Sequence, residues 1–265
     1  MPVWLPAPLH VSNKKNTIMK KIHLLALAAV ALFMAACSQP VKEVRSATTQ
    51  AIKVDTTLDA IQDEAYIEYL APTRAELDKI MDVQLGYAPQ DMWVGSPECP
   101  MLNWATDALW EAAKKVYPGT VDIAIVNMGG MRCSWVKGPI TRGDVFDLMP
   151  FENELVVLTL KGSDVIDLCE SFARYGAQGV AGMRVTIIDG KLADVTVAGK
   201  AVNPKADYTI ATSDYLSGGT DHMTALTRAM DCWKSELKIR DLYEQAVLEQ
   251  DTLRVALDGR MTIKP

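Results

Sequence analysis

Apolar residues recur along this chain with two different periods, and the changes from one period to the other mark out its elements. From Met101 to Val116 they fall at helical spacing, with Ala105, Ala108, Leu109 and Ala112 along one face, which predicts a helix packed on a core. Val121 to Val126 is a short, mostly apolar run ending in Asn127-Met128-Gly129-Gly130-Met131-Arg132, the pattern of a buried strand feeding a glycine loop. Ile140-Thr141-Arg142-Gly143-Asp144 opens a helical turn that closes before Met149-Pro150-Phe151. Leu155 to Leu160 reads as a strand and Ser163 to Tyr175 as a helix. Met183 to Ile188 and Lys191 to Val197 read as a hairpin turned at Asp189-Gly190, a dipeptide suited to a two-residue turn. Tyr208 to Thr212 is β-prone, while Thr224 to Met230 and Ile239 to Glu249 favour helix. Asp55 to Asp82 also favours helix, with a break predicted at Pro72. The alternation predicts an α/β (α+β) fold: one domain with a mixed β-sheet flanked by helices.

The N-terminal pattern is of another kind. Met19-Lys20-Lys21 is basic, Leu24 to Met34 is apolar but too short to span a bilayer as a helix, and Ala35-Ala36-Cys37 follows. This order reads as an export signal, with an ordinary signal peptide or a short buried helix as the plainer alternatives. It resembles a bacterial lipoprotein signal, which implies that Cys37 carries the lipid and that the chain sits in the bacterial cell envelope, facing the periplasm or the cell surface. Translation is read from Met19, and residues 1–36 are set aside as leader and signal. Residues 37–53, rich in Ser, Thr, Gln and Lys, offer too little apolar surface to order themselves and read as a tether. Residues 54–265 form the folded domain, long enough for one sizeable core.

A net charge of −6 argues against a polymeric nucleic acid as partner, which would need clustered Lys and Arg to neutralise phosphates. Beyond Cys37 the cysteines are Cys99, Cys133, Cys169 and Cys232, without a CxxC pair; disulfides and buried thiols both remain open, with Cys169 read as core. Three loops carry the candidate chemistry. Asn127 to Arg132 sets an amide and a guanidinium around two glycines, suited to hydroxyls or a phosphate oxygen, or else forms a plain turn with Arg132 solvated. Pro150-Phe151-Glu152-Asn153 pairs an aromatic face with an amide, or else buries Phe151. Asp214-Tyr215-Leu216-Ser217-Gly218-Gly219-Thr220-Asp221 offers a ring, a glycine pair and a carboxylate, or else is a strand exit with Asp221 capping the next helix. Two aromatics with amide and carboxylate neighbours suit a nucleobase held between rings.

The order NMGGMR, GPITRGDV, MPFENELVVLTLKGSDV, GAQGVAGMRVTI, ATSDYLSGGTD resembles the C-terminal, substrate-recognition domain of the bacterial and animal 5'-nucleotidases, over roughly Cys99 to Arg260. The resemblance implies a base clamp of Phe151 and Tyr215, with Asn153 at the base edge and Gly182 lining the base pocket. It implies Asn127 and Arg132 near ribose and phosphate, and Asp221 on the ribose hydroxyls. The ligand it implies is a nucleotide or nucleoside. This chain departs from the family pattern in having Tyr215 where phenylalanine is usual, Ala181 for a usual serine, and Thr220 between the glycine pair and its aspartate. It also has no arginine in Val94-Gly95-Ser96-Pro97.

In the full-length enzymes of that family an N-terminal metallophosphatase domain binds two divalent metals through clustered Asp, His and Asn. Here the histidines are His10, His23 and His222, and the first two fall in the leader. His222 beside Asp221 reads as an exposed or capping residue, and Met101, Trp104 and Trp110 as helix core. No cofactor is therefore expected in this chain, and divalent metals are expected only in a separately encoded metallophosphatase. Two functions stand: the nucleotide-recognition half of a split 5'-nucleotidase held at the membrane by a lipid anchor, or a stand-alone nucleoside- or nucleotide-binding lipoprotein.

Overall fold

The computed structural model describes residues 19–27, 46–58 and 63–265. Residues 19–27 are helical and exposed, and among the described residues no helix is long and apolar enough to cross a membrane. Cys37 and most of the expected signal segment lie outside the described residues. Of the expected tether, residues 46–53 carry no regular element, and a 3-10 turn follows at Thr56–Leu58.

From Asp63 to Pro265 the chain folds as one body. Its first half contains α1 (Glu64–Met81), β1 (Gln84–Ala88), α2 (Pro100–Val116), β2 (Ile123–Val126), β3 (Gly138–Thr141), α3 (Arg142–Leu148) and β4 (Glu154–Lys161). There follow α4 (Gly162–Tyr175), β5 (Gly179–Ala181), β6 (Met183–Ile188), β7 (Lys191–Val197), β8 (Lys200–Ala201) and β9 (Asp207–Ser213). The chain ends through α5 (Asp214–Ser217), β10 (Asp231–Lys238), α6 (Ile239–Gln250) and β11 (Met261–Lys264).

The central sheet has the order β10-β4-β9-β2-β5, with β2 parallel to β9 and the other neighbours antiparallel. Both of its faces are covered, which is why its inner strands read as continuous apolar runs. Along β2 the side chains alternate between two cores. Ala124 and Val126 belong to one with Leu109 of α2 and Tyr243 of α6, while Ile123 and Ile125 belong to the other with Val165, Leu168 and Phe172 of α4. Each buried Val, Leu, Ile or Phe among them contributes about 1.5–3 kcal/mol against leaving it in water. The mixed body flanked by helices matches the expected fold class, but its strands are shared among three sheets. A second sheet runs β11-β6-β7-β8, and β1 pairs with β3 alone. The chain leaves the central sheet after β5 at Gly182, whose φ of +74° lies in the left-handed region, so β6 starts a new sheet instead of extending the old one.

Local chemistry explains where elements begin. Thr141 Oγ1 accepts from the Asp144 N–H at 3.2 Å while Asp144 Oδ2 accepts from the Thr141 N–H at 2.7 Å, a reciprocal cap that starts α3. The β6–β7 hairpin turns at Asp189 and Gly190, with φ of 51° and 69°, as the dipeptide predicts. Pro72 does not break α1. The helix buries no residue, so the proline removes one backbone bond without dislodging a packed neighbour. Its ends are held by Asp63, which caps Tyr66 N–H at 3.1 Å, and by Arg142, whose Nη1 donates to Ile80 O at 3.1 Å. Thr224 to Arg228 is 3-10 rather than α-helical. Trp104 is buried against Trp135 and Tyr243, with ring centroids 5.3 and 5.6 Å away, and Met101 is buried beside them. Trp110 is half-buried and donates to Val121 O at 2.9 Å. Cys99, Cys133, Cys169 and Cys232 are all free thiols; Cys169 is core, and burial pushes its thiol well above the ordinary range.

Candidate functional site

One end of the central sheet collects the loops singled out by sequence. β2 and β9 are parallel, so Asn127 after β2 and Tyr215 after β9 emerge at the same edge. β4 runs antiparallel to β9 with Leu155 opposite Ser213, so its entry turn, Phe151 to Asn153, arrives there too. Strand direction alone brings three sequence-distant segments together.

Asn127 is nearly buried and donates from Nδ2 to Asp221 Oδ2 at 2.5 Å. A Cβ at Gly130 would stand 2.6 Å from Asn127 Oδ1, so a side chain there would push the Asn127 amide aside. The other carboxylate oxygen of Asp221 accepts the Tyr215 hydroxyl at 3.3 Å, a long bond that a ligand hydroxyl can replace. Asp221 and His222 are consecutive left-handed residues, with φ of 50° and 63°, a conformation that Asp tolerates better than most residues. His222 does not point into this cluster: its ring stacks on Tyr175 at 4.0 Å between centroids. The backward turn therefore aims the carboxylate inward and fastens its neighbour to α4.

Arg132 donates from Nη1 to Gly129 O at 3.0 Å, and its guanidinium lies 6.0 Å from the Phe151 ring centroid. Among the described residues it pairs with no carboxylate, so its charge stays available for an anion. Phe151 and Tyr215 are 38% and 45% exposed, too open to be core residues. Asn153 lines a small cavity of about 10 Å³ with Asn127, Met149, Ser213 and Tyr243. Tyr243 is fully buried, its hydroxyl has no partner among the described residues, and burial pushes its pKa up. Tyr243→Phe is therefore expected to raise stability by about 1 kcal/mol, the cost of an orphaned buried hydroxyl. A chemical melt showing a loss instead would mean that the hydroxyl is hydrogen-bonded.

Gly182, expected in the base pocket, is not brought to this end. β5 runs antiparallel to β2, with Gly179 opposite Val126 and Ala181 opposite Ala124. Gly182, three residues beyond Gly179, is carried about 10 Å along the strand, to Asp122 at the far end of β2. There a Cβ would stand 2.1 Å from Asp122 O. It lines a separate cleft of about 400 Å³ with Trp110, Asp122, Arg184 and Arg260.

Three residues to which the sequence assigns no role support the site. Gln178 Oε1 accepts from Met128 N–H at 2.8 Å and steadies the first loop. Arg240 of α6, almost fully buried, lies over the Phe146 ring at 4.1 Å and donates to Phe151 O at 3.4 Å and Glu152 Oε1 at 2.5 Å. Lys238, the first and larger cause, and Arg240 together hold the Glu152 carboxyl down at about 2. Asp214 accepts backbone N–H groups from both Glu154 and Tyr215. No pattern of residue types marks these roles, because each acts through contacts with residues far away in sequence or through the backbone.

Known proteins place these features in a family context. A family model described as "5'-nucleotidase, C-terminal domain" matches residues 84–228, more than half of the chain. The 5'-nucleotidase of Vibrio vulnificus is 32% identical over 171 residues, covering 63% of this chain and 31% of its own. "Endonuclease YhcR" of Bacillus subtilis is 27% identical over 198 residues, covering 64% of this chain and 15% of its own. Among solved structures, the 5'-nucleotidase precursor of Thermus thermophilus superposes with a TM-score of 0.68 at 24% identity, over 76% of this chain and 42% of that one, a likeness of fold. The chain spans at most about a third of the length of these curated relatives.

Proposed function

Since the chain belongs to the 5'-nucleotidase C-terminal domain family, we propose that it is the nucleotide- or nucleoside-recognition half of a split 5'-nucleotidase, working with a separately encoded metallophosphatase. The observation that supports this reading most is the convergence of Asn127, Arg132, Phe151, Tyr215 and Asp221 at one end of the central sheet. Phe151 and Tyr215 offer exposed ring faces for a base, and Asn153 offers an amide for its edge. Asn127 and Asp221 are poised for ribose hydroxyls, and the unpaired Arg132 guanidinium for phosphate. A lipid on Cys37 would hold this half in the bacterial cell envelope beside its partner.

The described residues offer this site no cluster of metal ligands. Among the described residues no group of three or more His, Cys, Asp or Glu is placed to hold an ion, and the ring of His222 is taken by Tyr175. Divalent metals, and the water they would activate for attack on phosphate, are assigned to the partner. What this chain's residues do is bind, orient and keep the base between two rings.

Titration calorimetry with adenosine, AMP and ribose 5-phosphate tests the reading. AMP should bind more tightly than adenosine through Arg132, and absence of heat with all three would overturn it. Purified chain given AMP and Mn²⁺ should release no phosphate alone and should promote release when a metallophosphatase lacking this domain is added. Turnover by the chain alone would refute the split, and binding without any effect on a phosphatase would favour a stand-alone binder.

A further inference from the structure

Asp214 directly precedes Tyr215, and its carboxylate ties that segment to the start of β4. Its Oδ1 accepts the Glu154 N–H at 3.1 Å and the Tyr215 N–H at 2.8 Å. Glu154 starts β4 three residues after Phe151, and Tyr215 carries the other ring. One oxygen atom is therefore shared by the backbones that present the two rings.

The β4–β9 ladder ends with Leu155 opposite Ser213, so beyond that pair no sheet bond holds the strand ends at a set distance. The other anchors of the Phe151 turn come from the end of β10 and from α6: Lys238 to Glu152, Arg240 to Phe151 O and Glu152, and the Ile239 N–H to Asn153 O at 2.9 Å. They fix the turn to β10 and the helix after it, and none of them reaches the Tyr215 segment. Tyr215 is held further by its hydroxyl on Asp221 and by Thr220 Oγ1 on its carbonyl, both on its own side of the gap, and both rings are more than a third exposed.

We propose that Asp214 sets the gap between the Phe151 and Tyr215 rings and thereby selects for a flat base. It is a positioning residue, acting through the backbone rather than on the ligand. The inference rests on the nucleotide reading of the site and adds to it the determinant of base recognition. Free of Asp214, the turn and α5 would move apart and lose the stack, while Asn127, Arg132 and Asp221 would still meet sugar and phosphate.

Dissociation constants for adenosine and ribose 5-phosphate, with a thermal melt of each variant, test this. Asp214→Ala should weaken adenosine binding about tenfold, the loss of one ring's stack, and leave ribose 5-phosphate binding unchanged. Asp214→Asn, which keeps an acceptor oxygen, should recover most of the loss. Asp214→Glu, which keeps the charge but displaces the oxygen by one methylene, should not. Unchanged adenosine affinity in Asp214→Ala, or adenosine and ribose 5-phosphate affinities falling together, would overturn the inference while leaving the nucleotide site standing. A wild-type chain that binds neither ligand would overturn both.

Discussion

Alanine in place of Tyr215 is expected to weaken adenosine binding by about 1–3 kcal/mol, and alanine in place of Phe151 by a similar amount, because each removes one base–aromatic stack. Both rings stand partly in solvent, at 45% and 38% exposure, so truncation removes little core packing. The melting temperature should hardly move. Affinity loss at constant stability is the signature of a contact with the ligand. Tyr215→Phe separates the ring from its hydroxyl. It keeps the stacking face and loses only the 3.3 Å bond to Asp221, so its effect should stay near 0.5 kcal/mol, the low end for a net hydrogen bond. Calorimetry showing unchanged adenosine affinity in both alanine variants would remove the clamp from the site.

Gly182→Ala is expected to do the reverse: a loss of about 2–5 kcal/mol in stability with nucleoside affinity retained by the folded fraction. A left-handed backbone costs a side-chain-bearing residue about 1–2 kcal/mol, and a Cβ 2.1 Å from Asp122 O cannot be accommodated without moving backbone, an overpacking cost of about 1–3 kcal/mol. The glycine sits where the chain leaves the central sheet, so the displaced segments would be β2 and β6. Denaturant melts measure the first quantity and calorimetry the second. A variant with normal stability and lost affinity would return Gly182 to the base pocket.

The contrast between these two substitutions shows what local sequence patterns carry. Tyr215 and Phe151 sit in short motifs whose residue types already suggest stacking, and the structure places both at the edge where Asn127 emerges. Gly182 lies in a run that resembles the family's motif equally well, yet register decides its place. Counting residues along β5 from Gly179 carries it away from Asn127 with each step, and no inspection of residues 179–182 alone reveals which strand they face. β10 escaped the sequence reading for a related reason. It is an edge strand, largely exposed, and a strand that buries little leaves no alternation strong enough to read. Pro72 misled in the opposite sense, since a helix with no buried face can pass through a proline that a packed helix could not accept.

By itself the sequence determined the main helices α1, α2, α3, α4 and α6, the strands β2, β4, β6, β7 and β9, the turn at Asp189-Gly190 and the residue chemistry of three loops, because periodicity and turn geometry act within a few residues. It also carried the ordered motifs that identify the family. Only the tertiary structure decided that parallel β2 and β9 and antiparallel β4 bring those loops to one edge. It also moved Gly182 to the other end and placed Asp214, Arg240 and Gln178 where they hold those loops. These depend on pairings between residues some tens of positions apart, where the energy lies in register and shared hydrogen bonds that no single segment encodes.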